Sequence, residues 1–159
     1  MLSPNLSRLV VCVGAVLLAS SIGSFATVRA IPRWYQGLAK PSFNPPGWLF
    51  GPAWTVLYLM MAVAAWLVWK QGLGAAGVKL ALVVFLGQLV LNTLWSVVFF
   101  GLRSPLAGLV DIVALWLAIL ATVILFFRVS VPAGVLLLPY IGWVSFAAVL
   151  NAAILHLNR

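Results

Sequence analysis

Residues 80–102 read LALVVFLGQLVLNTLWSVVFFGL, bracketed by Lys79 and Arg103 with no charged residue between them. About 20 consecutive apolar residues cross the hydrocarbon core of a bilayer, so this stretch is long enough to span one. In lipid it must be helical, because its backbone N–H and C=O groups have no water to bond. Gln88, Asn92 and Trp95 recur within it at i, i+4 and i+7, a single stripe on a helix, and Phe99 extends that stripe by one turn. Amide side chains are costly against lipid, so the stripe faces other helices. The run therefore predicts a membrane-inserted helix packed in a bundle.

Working outward, four further segments meet the same length criterion: Leu6–Val28, Gly47–Trp69, Pro105–Phe127 and Val131–Leu157. The expectation is an all-α membrane protein, a single domain over residues 1–159 forming a five-transmembrane-helix bundle. Composition agrees. The chain is 65% hydrophobic and 6% charged, with mean hydropathy +1.22, whereas soluble domains carry about 25% charged residues. Ser104-Pro105 and Ser130-Val131-Pro132 read as an N-cap followed by proline in the first turn, and Asn44-Pro45-Pro46-Gly47 precedes its span in the same manner. Pro52 and Pro139 each remove a backbone donor and should bend their helices locally. Residues 29–46 form the one long connection. Trp34, Tyr35, Phe43 and four prolines in it predict an ordered cap over one end of the bundle, not a flexible linker.

The net charge of +8 comes from nine Lys/Arg against one acid, Asp111. The cations are scattered at span ends, where their stems run along lipid and their charges reach the headgroups. They anchor the protein to membrane lipid and form no nucleic-acid patch. Arg8, Lys70, Lys79 and Arg128 fall at one face and Arg29, Arg33, Lys40, Arg103 and Arg159 at the other, so the positive-inside rule sets no orientation. Arg8, the apolar run after it and Ser24-Phe25-Ala26 have a faint signal-peptide character, but the run is long enough to span. One cysteine, Cys12, excludes an internal disulfide and a multi-cysteine metal site. No internal repeat is visible, which disfavours an inverted-repeat transporter. Small residues spaced by four (Ala15, Ala19 and Gly23; Gly77 and Ala81; Ala114 and Ala118) permit close helix contact, within one chain or between two.

Chemistry-bearing residues concentrate on inward stripes. Trp54, Tyr58 and Met61 share a face of the second span; Tyr140, Trp143, Ala147 and Leu150, with Asn151 close by, share one of the fifth; Asp111 lies in the second turn of the fourth. Converging, these faces make a pocket with flat aromatic walls and a few orienting polar groups, suited to a large planar apolar ligand. Two readings stand side by side for Asn92 and Asp111, interhelical hydrogen bonding and ligand contact. Trp66 and Trp69, beside Lys70, read as interfacial belt residues. His156 stands alone, and there is no Ser-His-Asp set, paired carboxylate, phosphate loop or metal-ligand spacing. No catalytic or metal residue is assigned.

Several of these stretches resemble one family. Trp34-Tyr35-x-x-Leu38-x-Lys40-Pro41-Ser42-Phe43-Asn44-Pro45-Pro46-Gly47-Trp48 continues through Gly51-Pro52-x-Trp54-x-x-Leu57-Tyr58. Gly87-Gln88-Leu89-x-Leu91-Asn92-x-x-Trp95 ends in Phe99-Phe100-Gly101. Leu109-Val110-Asp111 follows, then Pro139-Tyr140-x-x-Trp143-x-x-Phe146-Ala147-x-x-Leu150-Asn151. In this order and spacing they resemble the TspO/MBR family, the translocator proteins and tryptophan-rich sensory proteins once called peripheral benzodiazepine receptors. The first span is the weakest part of the match.

The resemblance implies a five-helix bundle, commonly a homodimer, whose pocket is capped by the first loop. It implies ligands of the porphyrin and tetrapyrrole class, protoporphyrin IX above all, and benzodiazepine-site drugs, with no cofactor required. Carried over by motif position, the pocket takes in Tyr35, Pro45, Phe50, Trp54, Tyr58, Asn92, Trp95, Trp143, Ala147 and Leu150. The end of span five, Leu150-Asn151-Ala152-Ala153-Ile154-Leu155-His156, lacks the tyrosine of the animal sterol motif, so cholesterol is not an expected ligand. That departure and the short C-terminus favour a bacterial cell membrane. Three functions follow as expectations: a receptor or sensor for tetrapyrroles with a regulatory role, a light- and oxygen-dependent porphyrin-degrading enzyme, and, last, a carrier of porphyrin or sterol.

Overall fold

The computed structural model describes residues 3–159. Five helical spans cross from end to end: α1 (Pro4–Ala30), α2 (Gly47–Trp69), α3 (Val78–Ser96) continued by a π-helical turn over Val97–Gly101, α4 (Pro105–Val129), and a last span broken into α5 (Val131–Leu136) and α6 (Leu138–Leu157). Each is long and apolar enough to cross a membrane, so the chain is an integral membrane protein. There is no strand among the described residues.

Local chemistry explains the boundaries. Ser104 caps α4, its Oγ accepting from Ala107 N at 3.2 Å, with Pro105 opening the helix. The other two expected caps are not built that way. Ser130 does stand at the N-cap of α5, with extended backbone and Pro132 in the first turn, but it caps through its backbone: its O accepts from Gly134 N at 3.1 Å, its N donates to Phe126 O at 2.7 Å, and its side chain makes no cap bond. Nor does Asn44 cap α2; Pro46 holds that position, and the Asn44 amide bonds within the loop instead. Pro139 stands just after Leu137, where the span breaks (φ −91°, ψ −8°).

Around the bundle α2 neighbours α1, α1 neighbours α3, α3 neighbours α4, and α4 packs on α5 and α6. The broken span closes the ring unevenly. Helix α2 packs closely on α5, whereas the backbones of α2 and α6 stay apart. Near α5, small residues permit close approach on two sides: Ala62, Ala64 and Ala65 of α2 are buried, and Gly134 admits the Phe127 ring of α4 where a Cβ would clash. Met61, Ile119 and Phe126 are fully enclosed, and Phe126 stacks on Phe85 at 5.6 Å. The small stripe of α1 is used within the chain: Ala19 and Gly23 are buried, Thr93 of α3 donates to Ala19 O, and Ser96 lies against Gly23. Ala81 is likewise buried inside, whereas Ala114 faces outward.

Candidate functional site

Where α2 and α6 diverge, side chains bridge them. Trp54 lies 5.4 Å from Tyr58 and 6.4 Å from Tyr140, and Phe50 meets Trp143 edge-on at 6.0 Å. Beneath these rings runs a hydrogen-bonded chain with a defined direction. Tyr58 OH donates to Asn92 Oδ1 (2.7 Å), Asn92 Nδ2 to Tyr140 OH (2.9 Å), Tyr140 OH to Gln88 Oε1 (2.8 Å), and Gln88 Nε2 to Met61 Sδ (3.9 Å). It ties α2, α3 and α6 together through buried Gln88, Asn92 and Tyr140. Inside a membrane, where nothing else would satisfy these groups, such bonds hold helices in register. Asn92 therefore acts as interhelical glue, its amide committed to the two tyrosines.

A second polar link lies one turn nearer the capped end. Trp95 Nε1 donates to Asn151 Oδ1 at 3.2 Å, and Asn151 Nδ2 donates to Pro105 O at 2.8 Å, joining α3, α6 and α4. Gly108 makes room for it: a Cβ there would lie 2.8 Å from the Phe99 ring and 3.0 Å from Asn151 Oδ1. Trp95 stacks on Phe99 at 5.2 Å, and Phe99 packs against Phe100 at 4.8 Å. Phe99 continues the Gln88–Trp95 stripe, and the π-helical turn, closed by Leu102 N to Val97 O at 2.9 Å, winds in one residue more than an α-turn would and brings the adjacent Phe100 inward beside it.

The 31–46 segment lies over this aromatic layer. Trp34 and Tyr35 meet Phe99 at 5.5 and 6.3 Å, Tyr35 meets Phe100 at 5.6 Å, and Phe43 meets Phe146 at 6.3 Å. Tyr35 OH donates to Asn44 Oδ1 at 3.1 Å, and burial pushes its phenol above the ordinary tyrosine value. Lys40 Nζ lies 4.8 Å from the centre of the Tyr35 ring. Ala30, Leu150 and Ile154 complete the cluster.

The structure thus brings most of the named residues into two adjoining layers. Trp54, Tyr58 and Asn92 form the inner one; Tyr35, Phe50, Trp95 and Leu150 belong to the outer, with Trp143 reaching Phe50 from α6. Pro45 shapes the loop, its carbonyl accepting from Asn44 Nδ2; Ala147 packs half-buried against the main core. Asp111 is buried on α4, and its Oδ2 has no hydrogen-bond partner. None of the bonds above involves it. Tyr140 was not among the named ligand residues, yet it joins both amides to Trp54; its place on the Trp143 stripe was the signal. Outside the rings, an apolar groove of about 470 Å³ separates α2 from α6, with Pro52, Val56, Pro139, Gly142, Trp143 and Phe146 in its walls. Among the described residues no group of histidine, cysteine and acid could hold a metal.

Comparison with known proteins follows the same lines. The sequence profile of the TspO/MBR family matches residues 11–157. The chain is 47% identical to the tryptophan-rich protein TspO of Archaeoglobus fulgidus over 155 residues, covering 97% of this chain and 99% of that protein. Against the protein of the same name in Chlorobaculum tepidum it is 47% identical over 157 residues, 99% of each. The human translocator protein is 41% identical over 148 residues, 89% of this chain and 87% of that one.

Proposed function

The chain belongs to the TspO/MBR family, and from that premise we propose that it is a membrane receptor for a tetrapyrrole, with protoporphyrin IX as the chemical type. The observation that carries this reading is the aromatic wedge between the diverging helices α2 and α6. Trp54, with Phe50 and Tyr58, stands on α2, and Trp143 and Tyr140 face them from α6. A porphyrin is a flat apolar disc that stacks on such rings. Its two carboxylates need cations at one edge, and Arg29, Arg33, Lys40, Arg103 and Arg159 all belong to the capped end. Relatives named tryptophan-rich sensory protein and translocator protein support a signalling or ligand-handling role. Benzodiazepine-site drugs fit the same rings. The reading extends to residence in a bacterial cell membrane and to a homodimer, which sizing in mild detergent would detect.

The test is a dark equilibrium titration of the purified protein with protoporphyrin IX beside a Trp54→Ala/Trp143→Ala variant. Saturable one-site binding that the variant loses is the expected result. Equal, unsaturable uptake by both proteins would reduce it to partitioning into detergent.

A second reading, degradation of bound porphyrin under light and oxygen, draws on the oxidisable Trp54, Tyr58 and Tyr140 packed together. Illumination of the bound complex checks it: products that persist when Trp54, Trp143, Tyr58 and Tyr140 all become phenylalanine would assign the chemistry to the porphyrin alone.

A further inference from the structure

Asn158 ends α6 and commits its whole amide. Oδ1 accepts from Ala39 N at 3.0 Å, while Nδ2 donates to Ala39 O at 2.9 Å and to Ile154 O at 2.7 Å. The side chain thus pairs with both backbone groups of one residue, as a neighbouring strand would, across a separation of 119 positions. A primary amide is the group that can do this. A carboxylate lacks the donor, and an alkyl side chain lacks both.

The remaining polar contacts of the 31–46 segment are local. Tyr35 bonds Asn44, and Lys40 Nζ donates to Gln36 O and Leu38 O at 3.2 and 3.0 Å. These make the segment a braced plate. Among the described residues, the Asn158–Ala39 pair holds the only hydrogen bonds that join this plate to a helix other than α1 and α2, which flank it. Its other attachments are apolar, ring contacts to Phe99, Phe100 and Phe146 and the packing of Leu38 on the same cluster. Ala39 and Asn158 are both exposed, so water competes for the bonds and they can break readily.

We propose that Asn158 is a latch that holds the 31–46 plate shut over the aromatic site, and that its release from Ala39 is the step by which a ligand passes between water and that site. This rests on the ligand-binding reading given above. The latch bonds are the same with the site filled or empty, so loosening them speeds passage in both directions and leaves affinity nearly constant. A residue needed only for folding would weaken binding instead.

Stopped-flow exchange of protoporphyrin IX in the dark reads this directly. Asn158→Ala should raise the association and dissociation rates together by about tenfold, about 1.4 kcal/mol in the opening equilibrium, with Kd within about threefold of the parent. In a Cys12→Ser background, Ala39→Cys/Asn158→Cys closed by a short cleavable thiol cross-linker should slow exchange at least a hundredfold, and reduction should restore it. Exchange unaffected by the cross-link would overturn the proposal, and would route the ligand from lipid through the α2–α6 groove.

A ligand-free arm separates the two readings. Ile154, only 1% exposed, lies beneath the plate, and Ile154→Cys in the Cys12→Ser background reports opening through its reaction with a charged thiol reagent. Asn158→Ala should speed that reaction about tenfold. An unchanged rate overturns the latch even if protoporphyrin IX binds; a faster one sustains it even if protoporphyrin IX does not.

Discussion

The two ends of the bundle are held together in different ways. At the end where α2 meets α5, close packing does the holding: Ala62, Ala64, Ala65, Ala133 and Gly134 let backbones approach, and Phe85 and Phe126 stack between the helices. Toward the capped end α2 and α6 stand apart, bridged by rings and amides: Trp54, Tyr140, Trp143 and Asn92. Interdigitated small residues have one arrangement and lose contact energy when displaced. Rings and amides on long side chains can re-pair, so helices held by them can separate without unfolding. The tight end is a clamp, and the capped end is where the molecule can change.

Substitutions at the two ends should break this contrast in unequal steps. Phe126→Ala, in the tight end, should cost about 3–5 kcal/mol in reversible unfolding from detergent, while the folded fraction keeps its affinity for protoporphyrin IX. Tyr140→Phe removes the hydroxyl that both receives from Asn92 and donates to Gln88. A loss of about 1.5 kcal/mol is expected, near the upper range for hydrogen bonds inside membranes. A cost below a few tenths would mean the two amides re-pair without it. Trp143→Ala should lower affinity for protoporphyrin IX at least tenfold, about 1.4 kcal/mol, and cost less in unfolding than Phe126→Ala because Trp143 is only half-buried; a larger unfolding cost with affinity unchanged would make Trp143 a packing residue. Trp66→Phe should matter least, about 0.5 kcal/mol in the same unfolding assay. It loses one exposed bond to Asn5 O and weakens the contact of the ring with Lys70.

Much of this architecture was legible because lipid is a severe solvent. Apolar length alone marks a span, and an amide inside one must face inward, which is why Gln88 and Asn92 could be placed before any coordinates. The contacts that escaped notice depend on other physics. Asn44 reads as a helix cap, yet it accepts from the Tyr35 hydroxyl while Pro46 takes the cap position; Ser130 does cap α5, but with its backbone and not its side chain. The Asn158–Ala39 pair joins residues far apart in the chain, and no periodicity announces such a contact. Asp111 was named for the cost of an acid in lipid, but its carboxylate makes no bond to the aromatic layers. Small-residue spacing could not tell inside from outside: Gly23 packs within the chain and Ala114 faces outward.

The π-helical turn at Val97–Gly101 amounts to a phase slip in the third span. Upstream, Gln88, Asn92, Trp95 and Phe99 keep the ordinary helical beat; the extra residue then offsets the count, so that Phe100 turns inward next to Phe99. Deleting one residue from this turn would restore the beat and still leave a membrane-length helix. It would also turn one of the two phenylalanines toward lipid, taking from the capped end a ring on which Tyr35 rests. The extra residue thus adds aromatic surface to the capped end from within a single span.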